Sequence, residues 1–150
     1  MFATIVWASD GSEAADGALG WVARFASGER ATLWVVHVAR PGDRATRAQG
    51  DFEEKVVAKL KSQVRQLRDL GFTASLYVSR GACESVGTAI DAAARAIEAD
   101  LLVLGAGGRP PSDPPASTGV AHQVLATASY PVLSLPPPVS WTPEPAAALL

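Results

Sequence analysis

A chain of 150 residues with 13 Lys+Arg, 15 Asp+Glu and a net charge of −2 has the length of one ordinary domain, and a domain of that size buries about 70% of the surface its unfolded chain exposes. Charged residues make up only 19% against 48% hydrophobic, which excludes a highly charged disordered polymer, and the slight acidic balance gives a nucleic-acid backbone no footprint. The lone cysteine, Cys83, cannot form an internal disulfide, so nothing calls for an oxidising compartment. No Lys or Arg precedes the apolar run Met1–Ala8, the first basic residue being Arg24. No stretch approaches the roughly 18 apolar residues of a membrane span, so a soluble cytoplasmic protein is expected.

Taken in order, the chain alternates between two periods. Phe2–Ala8 is β-branched and aromatic, as a strand buried on both faces should be. Ser9-Asp10-Gly11-Ser12 breaks it, and Ser12 is a natural helix N-cap. Ala14 to Ala26 follows as a helix, with Ala14, Ala18, Leu19, Val22, Phe25 and Ala26 on one stripe. Thr32–Val38 is a second buried strand, ended by Arg40-Pro41-Gly42-Asp43.

A long helix is predicted from about Ala48 to Leu70. Its apolar positions Phe52, Val56, Leu60, Val64 and Leu67 form the inner stripe, while Glu53, Lys55, Lys59, Lys61, Arg65 and Arg68 face water. Gly71 suits the position just past its end. A third strand is read over Phe72–Ser79, a third helix over Glu84–Glu98 and a fourth strand over Leu101–Leu104. After a Gly/Pro-rich loop, Val120–Ala128 forms the last helix and Val132–Leu135 the closing strand.

Such alternation implies a parallel sheet covered on both faces, because each right-handed crossover needs a helix. The expected architecture is α/β: one domain over residues 1–135 built on a five-stranded, parallel, doubly wound sheet. The tail 136–150 holds five of the 11 prolines and reads as an extended appendage.

Open parallel sheets bind ligands beyond the carboxyl ends of their strands, where the strand order reverses. Two segments would meet there: Ala8-Ser9-Asp10-Gly11-Ser12 after the first strand and Gly105-Ala106-Gly107-Gly108 after the fourth. The helix beginning near Thr118 would point free N–H groups into the same crevice, which favours phosphate. By spacing alone these glycines serve equally as tight turns. They are not a dinucleotide fingerprint, since Pro110 stands where its third glycine belongs, and the chain holds no GxxxxGK[ST] loop.

Across residues 2–135 the chain resembles a universal stress protein domain. The resemblance rests on Ile5–Ser12, His37-Val38, Gly81–Glu84, Asp100–Gly105, and Val120–Leu125 with Tyr130–Leu133, all in order and at the expected separations. It implies an adenine-nucleotide-hydrolase-like, Rossmann-like fold without catalytic residues, with at most weak ATP hydrolysis. The nucleotide-binding branch of the family carries Gly, two residues, Gly, nine residues, then Gly-Ser or Gly-Thr. Here Gly105 and Gly108 match the first pair, and Thr118-Gly119 follows nine residues later. Either Thr118 replaces the final glycine, or one residue is inserted before Gly119 and Val120 takes the place of the hydroxyl.

The resemblance implies ATP or AMP as ligand. Asp10 and the Ala8 backbone would approach adenine or ribose, and the Val38 backbone would read the adenine edge. Gly105, Gly108, Thr118, Gly119 and Val120 would line the phosphate path, with the Ser117 or Thr118 hydroxyl capping the last helix or touching a phosphate. A metal ion would sit between the phosphates, but the chain supplies no ligand cluster for one. The resemblance also implies a homodimer through Val132–Leu135; Trp141, a large apolar side chain in the tail with no obvious core slot, is expected to dock across it. A rival reading is a dimeric interaction module whose crevice holds no nucleotide: four prolines between Arg109 and Ser117 remove four N–H donors from the loop that would cradle phosphates.

Single residues have plainer readings as well. Asp10 fits an Asx-turn to Gly11 or Ser12, which is compatible with binding. His37, ending a buried strand, reads as a hydrogen-bonded core histidine; His122 reads as exposed. Cys83 reads as a small packed residue. Two distant histidines and one cysteine make no zinc site. Ser85 misses the nucleophile-elbow pattern by its first glycine, so a serine hydrolase is not expected. Ser79-Arg80 at the end of the third strand leaves no acidic phospho-acceptor.

Overall fold

The runs of β-branched and aliphatic residues form one parallel sheet in the computed structural model, which describes residues 2–39, 47–80, 85–105 and 119–135. Along the chain stand β1 (Thr4–Ala8), α1 (Glu13–Glu29), β2 (Thr32–Ala39), α2 (Arg47–Asp69), β3 (Ala74–Arg80), α3 (Val86–Ala96), β4 (Leu101–Gly105), α4 (Val120–Thr127) and β5 (Val132–Leu135). The strand order is β3-β2-β1-β4-β5, and every pairing is parallel. The doubly wound α/β architecture expected from the alternation is therefore the one present.

Strand periodicity divides the core in two. Ile5, Trp7, Leu33, Val35, Leu101 and Val103 point toward α1 and α2, where they meet Leu19, Val22, Leu60 and Leu67. Val6, Ala8, Val36, Leu102 and Leu104 point the other way, against Ile90 and Ala93 of α3 and Val124 of α4. Each fully buried Leu, Ile or Val contributes about 1.5–3 kcal/mol over an exposed one, so the central strand β1, whose Ile5, Val6 and Trp7 have no exposed surface, anchors both layers.

Several boundaries differ from the sequence reading, each for a local reason. Helix α1 runs on to Glu29 and closes on Arg30, which takes the left-handed conformation (φ 53) in place of a glycine. Phe72 is not in a strand: its N–H bonds Leu67 O at 3.0 Å, and that of Gly71 (φ 93) bonds Arg68 O at 2.9 Å, so both belong to the end of α2. Strand β1 begins at Thr4 because the N–H groups of Ala3 and Thr4 turn to the Asp100 carboxylate, at 2.8 and 2.9 Å. Phe52, read as core, is 62% exposed at the start of α2. Arg68, read as facing water, sends its Nε to Ala74 O at 2.6 Å. Ser85 is the N-cap of α3, its Oγ accepting from Thr88 N at 3.1 Å.

The tail 136–150 with Trp141, the loop 106–118, and Cys83 and Glu84 lie outside the described residues. Among the described residues, no helix is long and apolar enough to cross a membrane. His122 is exposed on α4, and β5 is an edge strand.

A polar staple fixes β5 to the layer beneath it. Tyr130 donates to Asp91 Oδ1 at 2.6 Å, and Arg95 binds Asp91 Oδ2 at 3.0 Å, Thr127 O at 2.7 Å and Ser129 Oγ at 3.2 Å. Burial alone would raise the Asp91 carboxyl, but the hydrogen bonds from Tyr130 and Arg95 outweigh it and hold the group below its ordinary 3.8. Burial, then the same carboxylate, push the Tyr130 phenol above its ordinary 10.0. Tyr130→Phe should cost about 1.5–3 kcal/mol in urea unfolding at neutral pH, the value of a hydrogen bond to a charged group. Because the folded carboxyl titrates below the unfolded one, the staple is at full strength above the ordinary carboxylate value and is lost as acid carries the pH down through the folded one. The penalty of Asp91→Asn should accordingly shrink in strong acid.

Candidate functional site

The strand order reverses between β1 and β4. From their carboxyl ends α1 leaves over one face of the sheet, and the chain after β4 leads to α4 on the other. That divergence opens a crevice. Ala8 forms its floor, in register with Val36 on one side and Leu104 on the other. Val38 lies two residues beyond Val36 and points to the same face, partly buried against the α3/α4 core.

The turn after β1 is specified residue by residue. Ser9 is buried, its N–H bonded to Val36 O at 2.9 Å and its Oγ accepting from Gly11 N at 3.1 Å. Asp10 is exposed and accepts from Ser12 N through Oδ1 at 2.9 Å; its other oxygen has no partner among the described residues. This is the Asx-turn read from the sequence. Gly11 has φ 78, where L residues are strained, and a Cβ there would stand 3.1 Å from Val56 Cγ1. Ser12 then caps α1, its Oγ accepting from Ala15 N at 3.3 Å.

Two charged residues of α2 that were read as facing water instead hold this turn. Lys59 Nζ donates to Gly11 O at 2.7 Å and to Asp16 at 2.6 Å. Glu53 Oε2 lies 2.8 Å from His37 Nε2, while His37 Nδ1 donates to Ser9 O at 2.9 Å. His37 is 3% exposed, so the reading of a bonded core histidine holds. The signal for Glu53 was available: it lies three residues before Val56, on the same helical stripe.

Gly105 joins the two rims. A Cβ there would fall 2.2 Å from Ala14 O and 2.9 Å from Ala15 Cα, so the end of β4 lies directly against the backbone of the first turn of α1. The buried indole of Trp7, donating to Ala15 O at 3.2 Å, fixes that turn from below. Gly119, not a hydroxyl residue, is the N-cap of α4 (φ −57), with no side-chain cap bond. It is exposed, and a Cβ there would meet nothing within 4 Å. The first-turn N–H groups of α4 thus have no capping oxygen from Gly119. Val120 is partly buried beside Ala121. The structure therefore gathers Ala8, Asp10 and Gly105 at one crevice with Val38 beside them; Gly108 and Thr118 lie outside the described residues.

A cavity of about 400 Å³ opens one strand away, between α2 and the ends of β2 and β3, lined by Ala39, Gly50, Glu53, Val57, Lys61 and Arg80. Its position beside the strand reversal makes it a neighbour of the crevice. Among the described residues, no three His, Cys, Asp or Glu side chains could hold a metal ion.

The profile of the universal stress protein family matches residues 1–136. The fold is similar to a protein of that family from Burkholderia pseudomallei, at 27% identity and a TM-score of 0.68, covering 89% of this chain and 96% of that one. It is also similar to a universal stress protein from Archaeoglobus fulgidus, at 24% identity and a TM-score of 0.70, over 89% and 98% of the two chains. A third similar structure is the universal stress protein from Archaeoglobus fulgidus in complex with dAMP, at 22% identity and a TM-score of 0.65, covering 89% and 97%. A search of curated proteins finds no match.

Gly105→Ala should destabilise the fold by about 2–3 kcal/mol, the scale of core overpacking, because the clash is with backbone that no rotamer can relieve. Gly119→Ala, in open space at negative φ, should cost less than about 1 kcal/mol. Urea unfolding of the two variants side by side measures the difference.

Proposed function

Because the chain belongs to the universal stress protein family, we propose that it is a cytoplasmic stress-response domain whose crevice takes an adenine nucleotide, ATP or AMP, and that it acts by binding, with at most slow ATP hydrolysis. The observation that carries this reading is the backbone contact of Gly105 with Ala14 and Ala15, which sets the end of β4 against the helix that follows the Asp10 turn. The residues present fit such a ligand. Among the described residues one Asp10 carboxylate oxygen has no partner and would serve a ribose hydroxyl, and the Ala8 and Val38 backbones would run along the adenine edge. Gly105, Gly108, Thr118, Gly119 and Val120 would follow the phosphates, with the start of α4 offering N–H groups and its dipole. The dAMP complex of the similar Archaeoglobus fulgidus protein supports the ligand class.

A second reading within the family is a dimeric regulatory module without a nucleotide. It is favoured by the four prolines between Arg109 and Ser117 and by Thr118-Gly119 in place of Gly-Ser. Both readings share a homodimer through Val132–Leu135. Strand β5 ends the sheet, and an edge with unpaired backbone groups invites a second copy.

Calorimetric titration with ATP, AMP and cyclic AMP separates the two readings. The first expects binding weakened at least about tenfold by Gly108→Val, a loss of about 1.4 kcal/mol, and silence with all three nucleotides would leave the second. For the dimer, light scattering should give twice the chain mass. Ser134→Lys, an exposed edge position, should give the monomer by placing like charges across the pairing.

A further inference from the structure

We infer that His37 and Glu53 form a proton-holding clamp that positions the Ser9–Ser12 turn and thereby tunes the affinity of the crevice. The inference deepens the nucleotide reading and, in its effect on affinity, rests on it. Both ring nitrogens of a buried histidine face oxygen: Nδ1 the Ser9 carbonyl at 2.9 Å, Nε2 the Glu53 carboxylate at 2.8 Å. A carbonyl cannot donate, so the first contact fixes a hydrogen on Nδ1. A neutral imidazole then has only a lone pair at Nε2, and an ionised carboxylate has only lone pairs to meet it. The second contact is a hydrogen bond only if one further proton is present, on Nε2 or on Glu53. A pair without it sets two acceptors against each other at a contact buried on the histidine side, which is costly.

The consequence reaches the turn because His37 is the link between α2 and Ser9 O. Ser9 precedes Asp10 and receives Gly11 N on its Oγ, so a displaced Ser9 carbonyl disturbs the part of the turn that presents Asp10. The surrounding charges come from every neighbouring element. Asp10 is engaged by Ser12, Asp16 of α1 by Lys59, and Glu54 and Lys61 of α2 with Arg80 of β3 line the cavity that Glu53 also lines. These are three carboxylates and three cations, so among the described residues the surroundings supply no net charge to replace the missing proton.

The test uses the full chain labelled with ¹⁵N-histidine. Long-range proton–nitrogen correlation at neutral pH, assigned against His37→Gln, should show His37 protonated at both nitrogens, or at Nδ1 with a proton shared between Nε2 and Glu53. A His37 ring with a bare Nε2 beside an ionised Glu53 would overturn the clamp. Amide exchange at Gly11 is the second readout. Its protection reports how firmly the Ser9–Ser12 turn is held. Glu53→Ala should lower it at least about tenfold at every pH. Glu53→Gln, whose amide donates to a neutral Nε2 without the extra proton, should restore protection. Equal loss in Glu53→Ala and Glu53→Gln would overturn the clamp. Neither readout uses a nucleotide, so absence of nucleotide binding defeats the proposed function while leaving these results to decide the clamp.

Discussion

The structure depends on one place where two backbones touch. At Gly105 the last residue of β4 lies so close to Ala14 and Ala15 that a single methyl group would overlap the Ala14 carbonyl. That approach couples the two strands at the centre of the sheet to the helix leaving the first of them, and so fixes where the crevice can form. The hydrophobic layers on either side are broad and tolerate exchange of one aliphatic residue for another of similar volume. The backbone contact has no such latitude, since neither partner has a side chain that can move aside.

Around it, the turn after β1 is over-determined by its neighbours. Ser9, Asp10 and Ser12 each satisfy a nearby N–H with their own oxygen, which selects a local shape. Val56 from below and Lys59 and His37 from the side then fix that shape in space. A loop held by so many independent ties presents its exposed carboxylate in one orientation, which lowers the ordering cost of meeting a ligand.

Much of this was legible in the residues. The two periods gave the α/β order, and the Ser9–Ser12 cluster gave both the turn and the cap of α1. His37 was recognisable as a core residue because it ends an otherwise apolar strand. What escaped was the choice between adjacent residues on one stripe. Phe52 and Glu53 lie four and three positions before Val56, and hydrophobicity alone places the phenylalanine inside. The fold places the glutamate there because β2 offers it a histidine, a partner that no pattern within α2 can reveal. Arg30 closing α1 in a left-handed conformation escaped for a similar reason: tertiary closure imposed an angle that composition assigns to glycine. At the crevice, Gly105 was visible as part of a spacing, but its reason, a helix pressed against β4, lies far away in sequence.

The carboxylate of Asp100 closes the amino end of β1 by accepting from Ala3 and Thr4, across 97 and 96 positions of chain. Strand β1 is the innermost strand of the sheet, yet one of its two neighbours is β4, available only once Leu101–Gly105 has been synthesised. Until then, a newly translated chain carries an apolar central strand with one open side, and loop closure over that span must precede the pairing that offsets it. Translation speed and chaperone capture over the first hundred residues therefore bear on the yield of this protein, and the danger of strand-to-strand misassociation peaks before β4 leaves the ribosome.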